Sequence, residues 1–196
     1  GSIGAMGVQV AAADDYQLLV GSYTAGQSQG IYRLAFDSAT GQIDAKPLQV
    51  INSENPSWLT LSKDQQRLFV VNENGPGQAD PVGRVSSYAI DPKTQELSLI
   101  NQVQSLGNEP THSGLSLDAS HLFVSNYSVS EDPGGSLAVL PLAADGTLKP
   151  VVQMSSHPAS RVNPERQTSA HVHSTVSSPD GNYVFSNDLG ADKVFV

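Results

Sequence analysis

The feature that most constrains the fold is a short apolar run that returns about every fifty to sixty residues and ends on a polar residue. These runs are rich in Val, Leu, Phe and Tyr, and Asp, Gly and Pro lie between them, which favours β-strands over helices. The four segments are LLVGSY (18–23), LFVVNE (68–73), LFVSNY (122–127) and YVFSND (183–188). Their alignment places Tyr23, Glu73, Tyr127 and Asp188 at one repeated position.

Two further patterns accompany these runs. A strand, a tight turn and a second strand follow each of the first three, at 30–43, 83–97 and 135–148. A short strand with an Asp-containing turn precedes each of the last three, at 56–66, 110–120 and 173–182. Four short strands per repeat predict an all-β protein whose four-stranded antiparallel sheets are the blades of a β-propeller. A Greek-key sandwich would not produce three patterns in register.

The last repeat carries the most specific motif of the chain. The segment VNPERQTSAHVHSTVSSPDGNYVFSNDLGADKVFV (162–196) resembles the Asn-Pro-Glu-Arg-Gln, His-x-His-Ser and Asp-Leu-Gly block of the seven-bladed 6-phosphogluconolactonase-type lactonases, which are related to the eukaryotic muconate lactonising enzyme. The segments VGSYTAGQSQGIYRLAFDSATG (20–41) and NPSWLTLS (55–62) resemble the opening blades of the same family. The resemblance implies an incomplete ring of about four of seven blades, with the remainder in another polypeptide or missing from this chain.

Composition excludes several classes of partner. The 196 residues carry a formal charge of −9 without a basic cluster, so binding to nucleic acid is not expected. No cysteine is present, which removes thiolate nucleophiles and Cys-ligated zinc. No segment of the sequence is apolar for long enough to span a membrane.

The first thirteen residues differ in composition from the rest. GSIGAMGVQVAAA is small and apolar, and it resembles the end of a signal peptide with its small-residue cleavage site. The alternative is a linker behind a tag remnant. We therefore expect residues 1–13 to precede the N-terminal portion of a single propeller domain at 14–196, in a periplasmic or secreted protein, with a cytoplasmic location as the alternative.

Strand direction predicts where the chemistry lies. In an antiparallel meander, the loop after the second strand and the loop entering the first strand lie at the same end of the blade. Glu73 follows a second strand, and the connection 157–173 carries Arg166, so both should approach one mouth of the central channel. The same rule brings further candidate substrate contacts to this mouth: Asn126, Tyr127, Asp188 and His112. His112 aligns with Trp58, which suggests a channel-lining position as readily as a functional one.

The connection 157–173 is unusually basic for this acidic chain. An arginine fork recognises carboxylate or phosphate groups, so Arg166 is a candidate for an anionic ligand, although an ion pair with a neighbouring blade is the alternative. His171 and His173 are spaced to face the same way on a strand. They could act as acid and base, bind a metal with Asp188 or Glu73, or donate to backbone carbonyls. The acid–base role is preferred, and the family resemblance implies metal-independent chemistry without a cofactor.

Lactone opening requires an activated water and stabilisation of the carbonyl oxygen. We expect His171 or Glu73 to act as the base, and His173 or Arg166 to contact the oxyanion or a phosphate. The predicted function is hydrolysis of a sugar lactone of the gluconolactone or 6-phosphogluconolactone type. The alternatives are a muconate-type lactonising enzyme and a non-catalytic binding module. A secreted protein would favour an unphosphorylated lactone.

Overall fold

The computed structural model describes residues 15–131 and 134–196, and all its regular elements in these ranges are β-strands. The predicted signal-peptide remnant at 1–13 lies outside the described residues. The strands form four antiparallel sheets in chain order, which confirms the predicted all-β architecture of consecutive propeller blades.

The first sheet contains β1 (Asp15–Gly21), β2 (Gly30–Asp37), β3 (Gln42–Ile43) and β4 (Gln49–Asn52). β2 pairs with β1 on one side and with both β3 and β4 on the other, so β3 and β4 together form one interrupted outer strand.

The next two sheets are complete four-stranded meanders. The second contains β5 (Pro56–Leu61), β6 (Arg67–Asn72), β7 (Arg84–Ile90) and β8 (Leu97–Gln104). The third contains β9 (Pro110–Leu115), β10 (His121–Asn126), β11 (Ser136–Pro141) and β12 (Gln153–Ser156). The fourth sheet has three strands, β13 (Val172–Ser177), β14 (Val184–Asp188) and β15 (Lys193–Phe195).

The core lies between the sheets, and β6 shows why. Successive side chains of a strand point to opposite faces. Leu68 and Val70 pack towards Ile31 of the first sheet, whereas Phe69 and Val71 pack towards the third sheet. β6 is therefore buried on both faces, which explains its unbroken apolar run. Full burial of each such side chain contributes about 1.5–3 kcal/mol.

The first strands of the last three sheets lie side by side, since β9 contacts both β5 and β13. Polar side chains join them: the Thr60 hydroxyl donates to the Ser113 carbonyl at 3.0 Å, and the Ser177 hydroxyl donates to the Leu115 carbonyl at 2.9 Å. This arrangement brings the starts of the inner strands together at one end of the molecule.

The repeated turns show that the sequence alignment of the last repeat is displaced by one residue. The backbone N–H groups of Ser62, Ser116 and Ser178 donate to the carbonyls of Arg67, His121 and Tyr183, respectively. Tyr183 is thus part of the turn rather than the first residue of the apolar run. The strand that follows is shifted by one residue, so Asp188 is equivalent to Asn126, and Leu189 is equivalent to Tyr127. The prediction that Asp188 shares the position of Glu73 and Tyr127 was wrong.

Candidate functional site

The inner strands β5, β9 and β13 each contain a β-bulge at their second residue. The pairing register shifts between Pro56 and Trp58 in β5, between Pro110 and His112 in β9, and between Val172 and Ser174 in β13. A bulge leaves one residue unpaired and re-aims its side chain. The bulged residues of β9 and β13 are Thr111 and His173, and both line the same cavity.

This cavity has a volume of about 400 Å³ and lies where β9 and β13 begin. It brings together four of the predicted site residues, namely Glu73, Tyr127, Arg166 and His173. The sequence did not single out the other lining residues, which are Glu109, Thr111, Val129 and Leu189. The carboxylates, the guanidinium and the imidazole reach this cavity from three different sheets and one long connection.

Glu73 is half-buried at the end of β6, where its backbone N–H donates to the Asn55 carbonyl at 3.0 Å. Burial raises the pKa of Glu73 above 4.5; a hydrogen bond from Tyr23 opposes this rise, and the negative charge of Glu109 adds to it. Burial and the hydrogen bond to Glu73 in turn raise the pKa of Tyr23 to about 12. Tyr23 therefore stays protonated and acts as a donor to the carboxylate.

Glu109 is the second carboxylate of the cavity, and it is only 7% exposed. Its Oε2 atom accepts the backbone N–H of Val129 at 3.2 Å. Burial raises the pKa of Glu109, while the Val129 hydrogen bond and the charge of His171 lower it. The sequence held one signal for this residue, because Glu109-Pro110 repeats Asn55-Pro56 at the entry to an inner strand.

Arg166 is presented by a tight turn in the connection between β12 and β13. The Asn163 side chain accepts the backbone N–H groups of Glu165 and Arg166. The buried Gln167 fixes this turn to the fourth sheet by donating to the Leu189 carbonyl at 3.0 Å. The Arg166 side chain is exposed, and its Nη2 atom donates to the Tyr127 hydroxyl at 3.1 Å. The guanidinium is thus held at the cavity by a polar partner rather than by a carboxylate.

Tyr127 separates the two histidines of the predicted His-x-His pair. The His171 ring stacks on Tyr127 with 4.5 Å between ring centroids, whereas the His173 ring meets Tyr127 edge-on at 5.9 Å. His171 is buried, and its Nδ1 atom lies 2.9 Å from the Tyr127 carbonyl oxygen, so this nitrogen carries the proton. His173 is exposed and lines the cavity. The bulge at His173 explains why the two side chains are in such different surroundings.

Asp188 lies behind His171 rather than in the cavity. Its Oδ1 atom accepts the backbone N–H of His171 at 2.8 Å and that of Ala191 at 3.0 Å. Its Oδ2 atom pairs with His157 Nδ1 at 2.9 Å, and the His157 ring stacks on Phe195. The carboxylate thus has partners within the protein on both oxygens, and it fixes the start of β13 relative to β14.

Asn126 and His112 also lie outside the cavity lining. Asn126 is fully buried and donates to the Ser105 carbonyl and the Ser136 hydroxyl, both at 3.2 Å. His112 packs on Trp58 with 4.4 Å between ring centroids, and its Nδ1 atom accepts the backbone N–H of Thr175. Burial and the nearby His173 lower the pKa of His112. His112 is therefore a neutral ring with its proton on Nε2.

Within 15–131 and 134–196, no group of three or more His, Cys, Asp or Glu side chains is arranged to hold a metal ion. In the same part of the chain, no helix has the length and apolar character needed to cross a membrane.

Known proteins resemble this chain over nearly its whole length. The family model described as Lactonase, 7-bladed beta-propeller, matches residues 17–196. The 6-phosphogluconolactonase of Bacillus subtilis is 32% identical over 178 residues, which are 90% of this chain and 47% of that protein. The 6-phosphogluconolactonase of Formosa agariphila is 30% identical over 177 residues, with 89% and 47% covered.

A solved structure is more similar still. The periplasmic gluconolactonase PpgL of Pseudomonas aeruginosa superposes with a TM-score of 0.89 at 57% sequence identity, covering 93% of this chain and 49% of that one. The chain thus spans about half the length of the relatives it matches. The match of the family model to residues 17–196, together with four antiparallel blades in order, shows that the chain belongs to the seven-bladed β-propeller lactonase family.

Proposed function

We propose that the protein hydrolyses a sugar lactone to its hydroxy acid in the cavity formed by Glu73, Tyr127, Arg166 and His173. The observation that carries the proposal is that one cavity in a lactonase-family chain collects a half-buried carboxylate, an arginine and an exposed imidazole. The names of the relatives support hydrolysis over lactone formation and over a binding role without catalysis.

Glu73 is the group that activates water. A general base must be ionised and close to the reacting water, and its efficiency rises as its pKa approaches the working pH. Glu73 faces the cavity, the Tyr23 hydroxyl donates to its ionised form, and burial raises its pKa from that of an exposed glutamate towards the working pH. His171 is less suited to this role, since it is buried behind Tyr127 and its Nδ1 proton is committed to a carbonyl.

Arg166 and His173 supply the positive side of the cavity. As water adds to the lactone carbonyl, charge develops on the carbonyl oxygen, and a preorganised N–H donor stabilises it. The Tyr127 hydroxyl already orients the Arg166 guanidinium, and Tyr127 is itself held by His171. Thr111 and Tyr127 offer hydroxyl groups to the substrate, while Asn126 and Asp188 act through the packing of the blades.

The charges of the cavity favour an unphosphorylated lactone. Two carboxylates face one exposed arginine and one histidine, and a phosphate dianion beside Glu73 and Glu109 would be repelled. The signal-like segment at 1–13 and the periplasmic name of one relative support a periplasmic or secreted enzyme, and the word gluconolactonase in that name agrees with the unphosphorylated lactone that the cavity charges favour.

The test compares the turnover of δ-gluconolactone, its 6-phosphate and a muconolactone by the intact protein, with and without a chelator. We expect the highest kcat/KM for δ-gluconolactone and no effect of the chelator. A higher kcat/KM for the phosphorylated lactone would overturn the substrate assignment. No turnover of either sugar lactone would overturn the function, and activity lost with chelator and restored by a divalent ion would replace the acid–base mechanism with a metal-dependent one.

A further inference from the structure

The mechanism above leaves the buried Glu109 without a role, although it lies between two segments that line the cavity. Its backbone N–H donates to the Asn74 carbonyl at 2.8 Å, and Asn74 directly follows Glu73. Its own carbonyl accepts the backbone N–H of Tyr127 at 3.0 Å, and the Tyr127 hydroxyl accepts the hydrogen bond of Arg166. Glu109 therefore connects the segment of the base to the segment that orients the guanidinium.

The Glu109 side chain adds a hydrogen bond of its own to the second of these segments. Its Oε2 atom accepts the backbone N–H of Val129 at 3.2 Å. The backbone N–H groups of the two preceding residues bond to main-chain carbonyls instead. Of these three consecutive donors, only Val129 depends on a side chain. Replacing the Glu109 side chain can therefore loosen the segment 127–129 without removing a backbone hydrogen bond.

The other side of the Glu109 carboxyl group is closed by Gly75, which lies two residues after Glu73. A Cβ atom at residue 75 would overlap Oε1, so the carboxyl group packs directly against the glycine backbone. The carboxyl group thus fills the space between the two segments, and each segment contacts one of its oxygens.

The equivalent residue of the preceding sheet forms the same kinds of bonds with a neutral side chain. Asn55, like Glu109, has a left-handed backbone, with φ of 42° and 46°, respectively. The Asn55 carbonyl accepts the N–H of Glu73 at 3.0 Å, and its Oδ1 atom accepts the backbone N–H of Thr24 at 3.0 Å. A left-handed backbone is unusual for glutamate, and such residues persist where their surroundings hold them in place. At this position of the repeat, an amide oxygen can therefore serve as the acceptor.

We infer that Glu109 is a positioning residue whose carboxyl oxygens hold the segment 127–129 against the segment 73–75. This contact sets the separation between Glu73 and Arg166 across the cavity. The inference rests on the proposed function, in which both side chains act on one bound lactone at the same time. A displacement of about 1 Å in such an arrangement can lower the rate about a hundredfold. The role depends on the acceptor oxygens and the shape of the Glu109 side chain, and it includes no proton transfer.

The experiment compares two variants whose side chains match glutamate in length. Glu109→Gln keeps an oxygen acceptor for the Val129 N–H, and Asn55 shows that an amide oxygen can serve at this position. Its kcat/KM on δ-gluconolactone should therefore stay within about threefold of wild type. Glu109→Met removes both oxygens and should lower kcat/KM by about ten- to a hundredfold.

A double-mutant cycle with Arg166 separates positioning from a general loss of stability. If Glu109 acts through Tyr127 on Arg166, the loss of kcat/KM caused by Glu109→Met should be smaller by about threefold or more in the Arg166→Met background. A variant that is merely less well folded would lose the same factor in both backgrounds. The exposed Glu165 in the Arg166 turn is the matched control, and Glu165→Met should leave kcat/KM unchanged. Melting temperatures show that each variant is folded, and Glu109→Ala replaces Glu109→Met in the cycle if the latter does not fold.

Different results overturn the two proposals. A loss in Glu109→Gln as large as that in Glu109→Met would mean that the charge or a proton of Glu109 matters rather than its acceptor oxygens. Wild-type kinetics in Glu109→Met, or equal losses in both Arg166 backgrounds, would reject the positioning role. These results leave lactone hydrolysis intact, whereas a wild-type protein without activity on either sugar lactone would reject the proposed function itself.

Discussion

The two ends of the blades differ in how faithfully they repeat. At the end opposite the cavity, three sheets carry the same turn, in which a serine hydroxyl donates to an aspartate two residues later. These pairs are Ser62–Asp64, Ser116–Asp118 and Ser178–Asp180. Each aspartate also accepts a backbone N–H two residues further on. The turn is the same in each sheet because its task, reversing the chain between two strands, is the same.

At the cavity end, equivalent positions hold different residues. The residue before the inner strand is Asn55, Glu109 or His171, and the bulged residue is Ser57, Thr111 or His173. The backbone bonds are nevertheless shared, since the carbonyls of Asn55, Glu109 and His171 all accept an N–H from the residue after the second strand. The backbone hydrogen bonds therefore repeat from sheet to sheet, whereas the side chains at the cavity end differ. Within one repeat, the backbone maintains the fold and the side chains determine the chemistry.

The two ends should differ most in how kcat responds when one carboxylate is removed from each. We expect Glu73→Gln to lower kcat on δ-gluconolactone by about 10²–10⁴-fold, as for a lost general base. Asp118→Asn, in a turn of the opposite end, should leave kcat unchanged. In wild type, kcat/KM should fall as the pH drops through the Glu73 pKa, which lies above 4.5, because the base must be ionised. Equal kcat losses in both variants would remove the functional distinction between the ends.

A glycine substitution tests the cavity end without replacing a titratable residue. Gly75→Ala should displace the Glu109 carboxyl group from the cavity lining and lower kcat by about tenfold, a loss smaller than that expected for removing Glu73. Gly26→Ala is the matched control, because a Cβ atom there meets no other group. Wild-type kinetics in Gly75→Ala would mean that the position of Glu109 is irrelevant to turnover.

Arg166 should affect binding more than turnover. Arg166→Met removes the donor that reaches the Tyr127 hydroxyl, and we expect KM for δ-gluconolactone to rise by about tenfold, with a larger rise for an anionic lactone. Arg161→Met removes another exposed arginine of the same connection and should leave KM unchanged. Steady-state kinetics on both lactones distinguish these outcomes, and equal shifts in the two variants would indicate a general effect of charge.

The sequence predicted the repeating part of the molecule well. The apolar runs gave the strands, and antiparallel strand direction placed Glu73, Arg166 and His173 at one end of the blades. These inferences succeed because the two-residue period of a strand and the turns between strands are local properties. The alignment failed at Tyr183, where an aromatic residue extends the apolar pattern although its backbone belongs to the turn.

The individual side chains of the site were harder to predict. Glu109 lies in a connection without a strand pattern, and its burial depends on Gly75 and Val129, which come from different blades. The spacing of His171 and His173 predicted side chains on one face, but the bulge changes that geometry. Bulges and contacts between blades arise from tertiary packing, and one sequence does not encode them as a local pattern.

The smallest expected effect concerns stability at the turn end and its dependence on pH. Hydrogen bonds from Ser120 and Ser116 lower the pKa of Asp118 to about 2. A carboxylate whose pKa is lowered in the folded state stabilises that state above its ordinary pKa near 3.8, and this contribution is lost as the pH falls through about 2.

Asp118→Asn should therefore lower the melting temperature at pH 7 by no more than a few degrees, because the site is exposed to solvent. The difference from wild type should shrink as the pH is lowered below about 4. Melting curves of both proteins between pH 7 and pH 3 measure this difference. If the melting temperature of Asp118→Asn fell further below that of wild type at low pH, the ionised Asp118 would not be what holds the turn. The kcat of the variant at pH 7 should equal that of wild type.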